Sequence, residues 1–113
     1  QLDKVQAAGS IWQEAILDRV NFRESSLPKS NFAGASLKQT ILDLCDLRKS
    51  NFPGATLEKT TLLKSNLFQN NFRGAQLKNS DFRGSNLFES EFLEATIEGS
   101  SFDLANLGGT KLV

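Results

Sequence analysis

The chain has 113 residues, 13 basic and 13 acidic, with no His and a single Cys; 39% is hydrophobic and 23% charged, the balance of one water-soluble domain. Zero net charge argues against a broadly basic nucleic-acid binder, and the lack of His excludes a His-bearing triad or a Cys/His zinc site. A disulfide within the chain is impossible, no apolar run approaches the roughly 18 to 20 residues of a membrane span, and nothing after Gln1 resembles a signal peptide. A processed or excised soluble segment is expected, in the cytoplasm or in a compartment reached through a cleaved targeting sequence.

Residues 1–14 are expected to form an N-terminal cap or an irregular first coil. Trp12, with Ser10 before it, stands where the following pattern would put a large apolar residue, and Val5, Ala8, Ile11 and Trp12 would also suit a short amphipathic helix over an open end.

Residues 15–113 have a period of five. Large apolar residues recur without a slip from Leu17 and Phe22 to Leu107 and Leu112, and two positions before each stands a mostly small residue, such as Ala15, Ser30, Cys45, Thr60 or Ser90. On a helix a step of five turns the side chain by about 140° net, so the apolar residues would scatter around the cylinder. In an extended segment a residue and its second neighbour share a side, so each unit reads as a three-residue strand and a two-residue corner.

Stricter columns recur every 20 residues, which makes four units one coil: Ala at 15, 35, 55, 75 and 95, Leu at 27, 47, 67, 87 and 107, Gly at 34, 54 and 74. The Gly column falls on a corner, which suggests that one corner type depends on glycine.

These units, as in Ser85-Asn86-Leu87 and Ala105-Asn106-Leu107, resemble the pentapeptide-repeat family over residues 15–112. The resemblance implies an all-β, right-handed quadrilateral β-helix of about five four-sided coils, capped at its N-terminus, with Leu or Phe stacked in the core. Ser or Thr precedes the centre more often than Ala, so inward hydroxyls need backbone partners. Five coils at about 4.7 to 4.9 Å give a rod on the order of 25 Å long. Asn70 is the expected irregularity, and Cys45, in the inward column, is read as an inert buried hydrophobe.

No face has a dominant charge, and Lys38, Glu58, Lys78 and Glu98 alternate down one column, as do Arg23, Asp43, Arg83 and Asp103 with Leu63 between, so weak ion pairs between coils are expected. Charge does separate along the chain: residues 28–78 hold eight bases and three acids, residues 81–113 six acids and two bases.

Every polar side chain is accounted for by a repeat column, including the acid pair Glu91 and Glu94, so no catalytic, cofactor-binding or metal residues are assigned and an enzyme is not expected. An ice-binding ladder would need a regular outward Thr column, whereas Ile16, Ser36, Thr56, Gln76 and Thr96 are mixed.

Outward apolar residues remain. Phe68 and Phe88 share a column one coil apart, with Leu63 and Leu93 in equivalent positions on the neighbouring faces, and these four form the candidate partner interface. Leu44, Leu104 and Ile41 make a weaker apolar group, and Leu104, Leu107, Leu112 and Val113 a candidate end-to-end seam for a homodimer. The reading is a non-enzymatic rod that binds another protein or acts as a scaffold, without nucleic acid or membrane as direct partner. The alternative implied by the family is a DNA mimic that binds a type II topoisomerase such as DNA gyrase, for which this rod has too little acid, too short a length and no longer loop interrupting the repeat.

Overall fold

A computed structural model describes residues 3–111. Every five residues the backbone retraces one path: an outward bridge residue, an inward centre residue, two corner residues and an inward small residue. Each isolated bridge is parallel and joins a residue to the one twenty positions later, as in Ile16 to Ser36 and Thr56 to Gln76. Four units therefore close one coil, and the coils stack into a rod of 32 × 22 × 22 Å.

The ladder between coils is dense. A centre N–H donates to the next coil, as from Leu57 to the Gln76 carbonyl at 2.7 Å, and a bridge N–H donates to the previous one, as from Thr56 to the Ala35 carbonyl at 2.9 Å. At the corners, the second corner residue adds a further bond to the next coil, from Lys49 N–H to the Phe68 carbonyl at 2.8 Å. The turn is closed within the unit by the small residue's N–H, as from Ala55 to the Phe52 carbonyl at 3.1 Å.

The corners differ from the expectation of one glycine-dependent type. Second corner residues on all four edges have φ between +53° and +76°, and among the described residues fifteen of them are not glycine, Lys49, Gln69, Glu89 and Leu104 included. Each edge makes the same turn, so all share a left-handed residue whose conformation costs about 1 kcal/mol without glycine. Pro28 and Pro53 fit the preceding position, where a fixed negative φ is suited to such a turn.

Inside, the centre residues form four stacked columns. Face one carries Leu17, Leu37, Leu57, Leu77 and Ile97; face two Phe22, Leu42, Leu62, Phe82 and Phe102; face three Leu27, Leu47, Leu67, Leu87 and Leu107; face four Trp12, Phe32, Phe52, Phe72 and Phe92. On face four the rings of Phe32, Phe52, Phe72 and Phe92 lie nearly parallel at 4.7, 5.0 and 5.1 Å, the spacing of the coils themselves. Phe82 meets Phe72 edge-on at 5.8 Å, tying face two to face four.

Residues 3–14 do not form a helix; they carry the same corners and bridges, through Gln6 to Ser26 and Ile11 to Asn31. Backbone pairing with the coil above outweighs the weak helical pattern. Trp12 extends the face-four stack over Phe32 at 6.2 Å and touches Phe22 edge-on at 5.5 Å. This extra winding carries the rod past the 25 Å expected from five coils.

The inward hydroxyls build a second ladder. Ser50 Oγ donates to the Leu27 carbonyl at 2.8 Å while accepting from the Ser30 N–H at 3.0 Å, and Ser90 does the same toward Leu67 and Asn70. Thr40, Thr60, Ser65, Ser80 and Ser100 also donate to the carbonyl 23 positions back. Asn70 follows the same rule through its amide, Nδ2 donating to the Leu47 carbonyl at 2.6 Å, but its Oδ1 is the one buried side-chain polar atom without a partner among the described residues. The irregularity expected at Asn70 is therefore confined to one oxygen. Asn70→Asp should destabilise the rod by about 3 kcal/mol at neutral pH, because a buried carboxylate would face the Leu47 carbonyl. A protonated Asp can donate there, so its folded pKa is raised and the deficit against wild type should shrink as pH falls toward 4. Urea unfolding at several pH values measures both.

Candidate functional site

Outward chemistry is ordered by the corners. Asn or Asp at the bridge position accepts from the N–H two residues on: Asn71 Oδ1 from Arg73 at 2.9 Å, Asn66 from Phe68 at 3.2 Å, Asn86 from Phe88 at 3.1 Å. This is the role of the Asn or Asp that stands before Leu or Phe in units such as Ser85-Asn86-Leu87. The same orientation redirects the ion pairs. Arg83 folds onto Asp81 and Arg48 onto Asp46, both at 2.7 Å within one corner, and Arg23 onto Glu24 at 3.1 Å. Asp43 caps the Leu63 N–H at 3.0 Å instead of meeting Arg23, and of the alternating Lys38 column only Lys78 to Glu98, at 3.9 Å, closes between coils among the described residues. Hydrogen bonds from Arg48 and Arg83 hold the carboxyls of Asp46 and Asp81 below the usual range.

The edge between faces three and four carries the candidate interface. Its first-corner column runs Ala8, Pro28, Arg48, Phe68, Phe88, Gly108. Phe68 and Phe88 stack at 6.1 Å with a 6° interplanar angle, and Phe88 is 38% exposed. A Cβ on Gly108 would stand 2.9 Å from the Phe88 ring, so glycine there lets the ring lie over the next coil. Toward the N-terminus, Phe68 walls one end of a groove of about 720 Å³ whose lining includes Pro28, Lys29, Arg48 and Lys49. Beyond Phe88 a smaller hollow of about 260 Å³ is lined by Gln69, Glu89, Glu91, Gly109 and Lys111.

Leu63 and Leu93, half-buried, stand on the two adjoining edges, so they flank the Phe pair on either side of it. Of the seam residues, Leu104 is 95% and Leu107 42% exposed, while Leu112 and Val113 lie outside the described residues. Leu44 and Leu104 share a column but stand three coils apart, so they make no single patch with Ile41. Glu94 pairs with Arg73 at 3.7 Å, apart from Glu91 in its hollow. No group of side chains suited to a metal ion occurs among the described residues, and no helix there is long and apolar enough to cross a membrane.

The family model for pentapeptide repeats matches this chain in eight copies, over residues 1–39, 30–67 and 65–103. The chain belongs to the pentapeptide-repeat family, and its coil is the right-handed quadrilateral β-helix of that family. Among solved structures it is similar to the pentapeptide repeat protein Rfr23 from the cyanobacterium Cyanothece 51142, with a TM-score of 0.91 at 22% identity over 94% of this chain and 86% of that one. A pentapeptide repeat protein of the Arabidopsis thaliana thylakoid lumen gives 0.66 at 26% identity, over 77% of this chain and 65% of that one. The trypsin-treated R167E form of QnrB1, a plasmid-mediated fluoroquinolone resistance protein, gives 0.51 at 12% identity, over 93% and 72%. No curated protein matches the sequence.

Cys45 is buried between coils, its Sγ 3.1 Å from the Phe22 carbonyl, and desolvation pushes the thiol up to about 11. A thiol-specific reagent at pH 8 should leave it unmodified until denaturant is added. Because the folded pKa is raised, the stability linked to this proton is complete below about pH 9 and should be lost as pH rises through 11.

Proposed function

We propose that this chain is a non-enzymatic protein-interaction or scaffold module, and that it recognises its partner along the edge bearing Phe68 and Phe88. The observation that carries this reading is the aromatic pair itself. Most large side chains of the rod are consumed by the core, whereas these two rings stack outward beside a groove, flanked by Leu63 and Leu93. Aromatic anchors of this kind dominate binding energy at protein interfaces. Rigidity supports the role, since the backbone ladder holds the edge in one shape and little backbone entropy is lost on docking.

Replacing both Phe68 and Phe88 with Ser should leave the circular dichroism spectrum of the rod unchanged and reduce capture of a partner protein by the immobilised chain. Unchanged capture would sink the assignment of this edge.

The second reading, mimicry of DNA toward a type II topoisomerase, draws on the fold likeness to QnrB1 and on the acids gathered in residues 81–113. Against it stand the pairing of Asp81 by Arg83, Glu94 by Arg73 and Glu98 by Lys78, which breaks any continuous negative surface. The chain is therefore expected to leave DNA gyrase supercoiling in vitro unaltered.

A further inference from the structure

The Phe68 edge is complementary to itself. Going up the rod from Phe68, the next coil presents the exposed Phe88 ring as a knob with Glu89 beside it; going down, the next coil presents Arg48, which lines the groove, with Lys49 beside it. Arg48 is folded back onto Asp46 by two hydrogen bonds of 2.8 and 2.7 Å, and it lines the groove together with Pro28 and Phe68, one coil below the aromatic pair. A knob one coil above Phe68 and a hollow one coil below it are exchanged by a two-fold axis perpendicular to the rod at the level of Phe68. That operation defines an isologous contact, in which residue i meets j and j meets i.

We propose that this edge docks against the same edge of a second copy of the chain, the two rods antiparallel, with Phe88 of each copy filling the groove between Pro28 and Phe68 of the other. The inference rests on the assignment of this edge as the interaction surface and names its partner. Charge agrees with the arrangement. The same axis sets Glu89 of one copy against Lys49 of the other, and brings Lys29 to within about one coil of Glu89 and Glu91. Lys29, Lys49, Glu89 and Glu91 have no ion pair within the chain among the described residues; the Glu89 carboxylate accepts a 2.9 Å hydrogen bond from Gln69. Phe88 docked over Arg48 gains a cation–π contact as well. The segregation of bases into the middle of the chain and acids toward residue 111 is what an antiparallel pair requires, and a parallel pair would set like charges side by side. An edge is narrower than a face, so the pair is small and reversible, with formation dependent on concentration and salt.

The test is the mass of the full chain by sedimentation equilibrium over a wide concentration range, at about 0.01 M and about 1 M salt. At low salt the mass should climb from 12.4 kDa toward twice that value, and high salt should reverse the climb. Lys49→Glu or Glu89→Lys alone should weaken association about tenfold, because a symmetric dimer contains the pair twice, and the double variant should restore it. Both changes place at a corner a residue that the same corner position carries elsewhere, Glu24 and Glu94 or Lys29 and Lys59, so the fold tolerates them. Phe88→Ala should leave a monomer. A wild-type chain that stays at 12.4 kDa throughout, or a dimer indifferent to both single reversals, would overturn the proposal. A monomer whose capture of a different protein is lost on replacing Phe68 and Phe88 would overturn the self-pairing alone and leave the interaction surface standing.

Discussion

The structure depends on one register: every bridge joins residue i to residue i plus twenty, on all four faces, without a bulge among the described residues. A coil of twenty residues closes only if each of its four corners turns the chain in the same way, and that turn places the second corner residue at positive φ whatever its side chain. Of the fifteen non-glycine residues that accept that conformation, thirteen gain a backbone hydrogen bond to the next coil at the same residue, as Lys49 donates to Phe68. Once the register holds, like stacks on like, and the rings of face four fall at the coil spacing.

Two side-chain devices reinforce the backbone. Most inward Ser and Thr join consecutive coils, donating to a carbonyl below while several also accept an amide, whereas Ser85 and Thr110 donate within their own unit, so that the inner surface of a rod 22 Å wide is polar where hydrogen bonds are needed and apolar elsewhere. Outward Asn and Asp cap the first corner amide and draw Arg into the same corner. Both devices spend polar groups on the scaffold. What remains for recognition is concentrated at first-corner positions, where side chains vary freely in size, and the Phe68 edge is where that freedom yields both an exposed ring and a groove.

Much of this was legible in the sequence because a period of five fits no helix and a second period of twenty counts the sides. The inward hydroxyl bonds and the burial of Cys45 followed from the columns alone. The corner conformation did not, since Gly34, Gly54 and Gly74 look like a signal while Lys, Glu and Gln in the equivalent positions look like ordinary surface. The first coil was obscured because Ala7 stands where Leu occupies every later coil of its face. Ion pairs were misread because the columns show which charges are neighbours but not that an amide has already oriented Asp81 or taken the Asp43 oxygen. The Phe68 and Phe88 pair was visible as a column; its groove was not, because a column does not show that Arg48, one of the groove's lining residues, folds back onto Asp46, or that the Phe88 ring lies against Gly108.

Amide hydrogen exchange resolved residue by residue tests the central claim most directly. The twenty-residue register predicts protection with a period of five: slow exchange at centre amides such as Leu57 and Leu77 and at bridge amides such as Thr56 and Gln76, and fast exchange at the first corner amides of Glu58 and Lys78, which have no hydrogen-bond partner among the described residues. Protection running evenly through these corners, or absent at the centres, would contradict the coil.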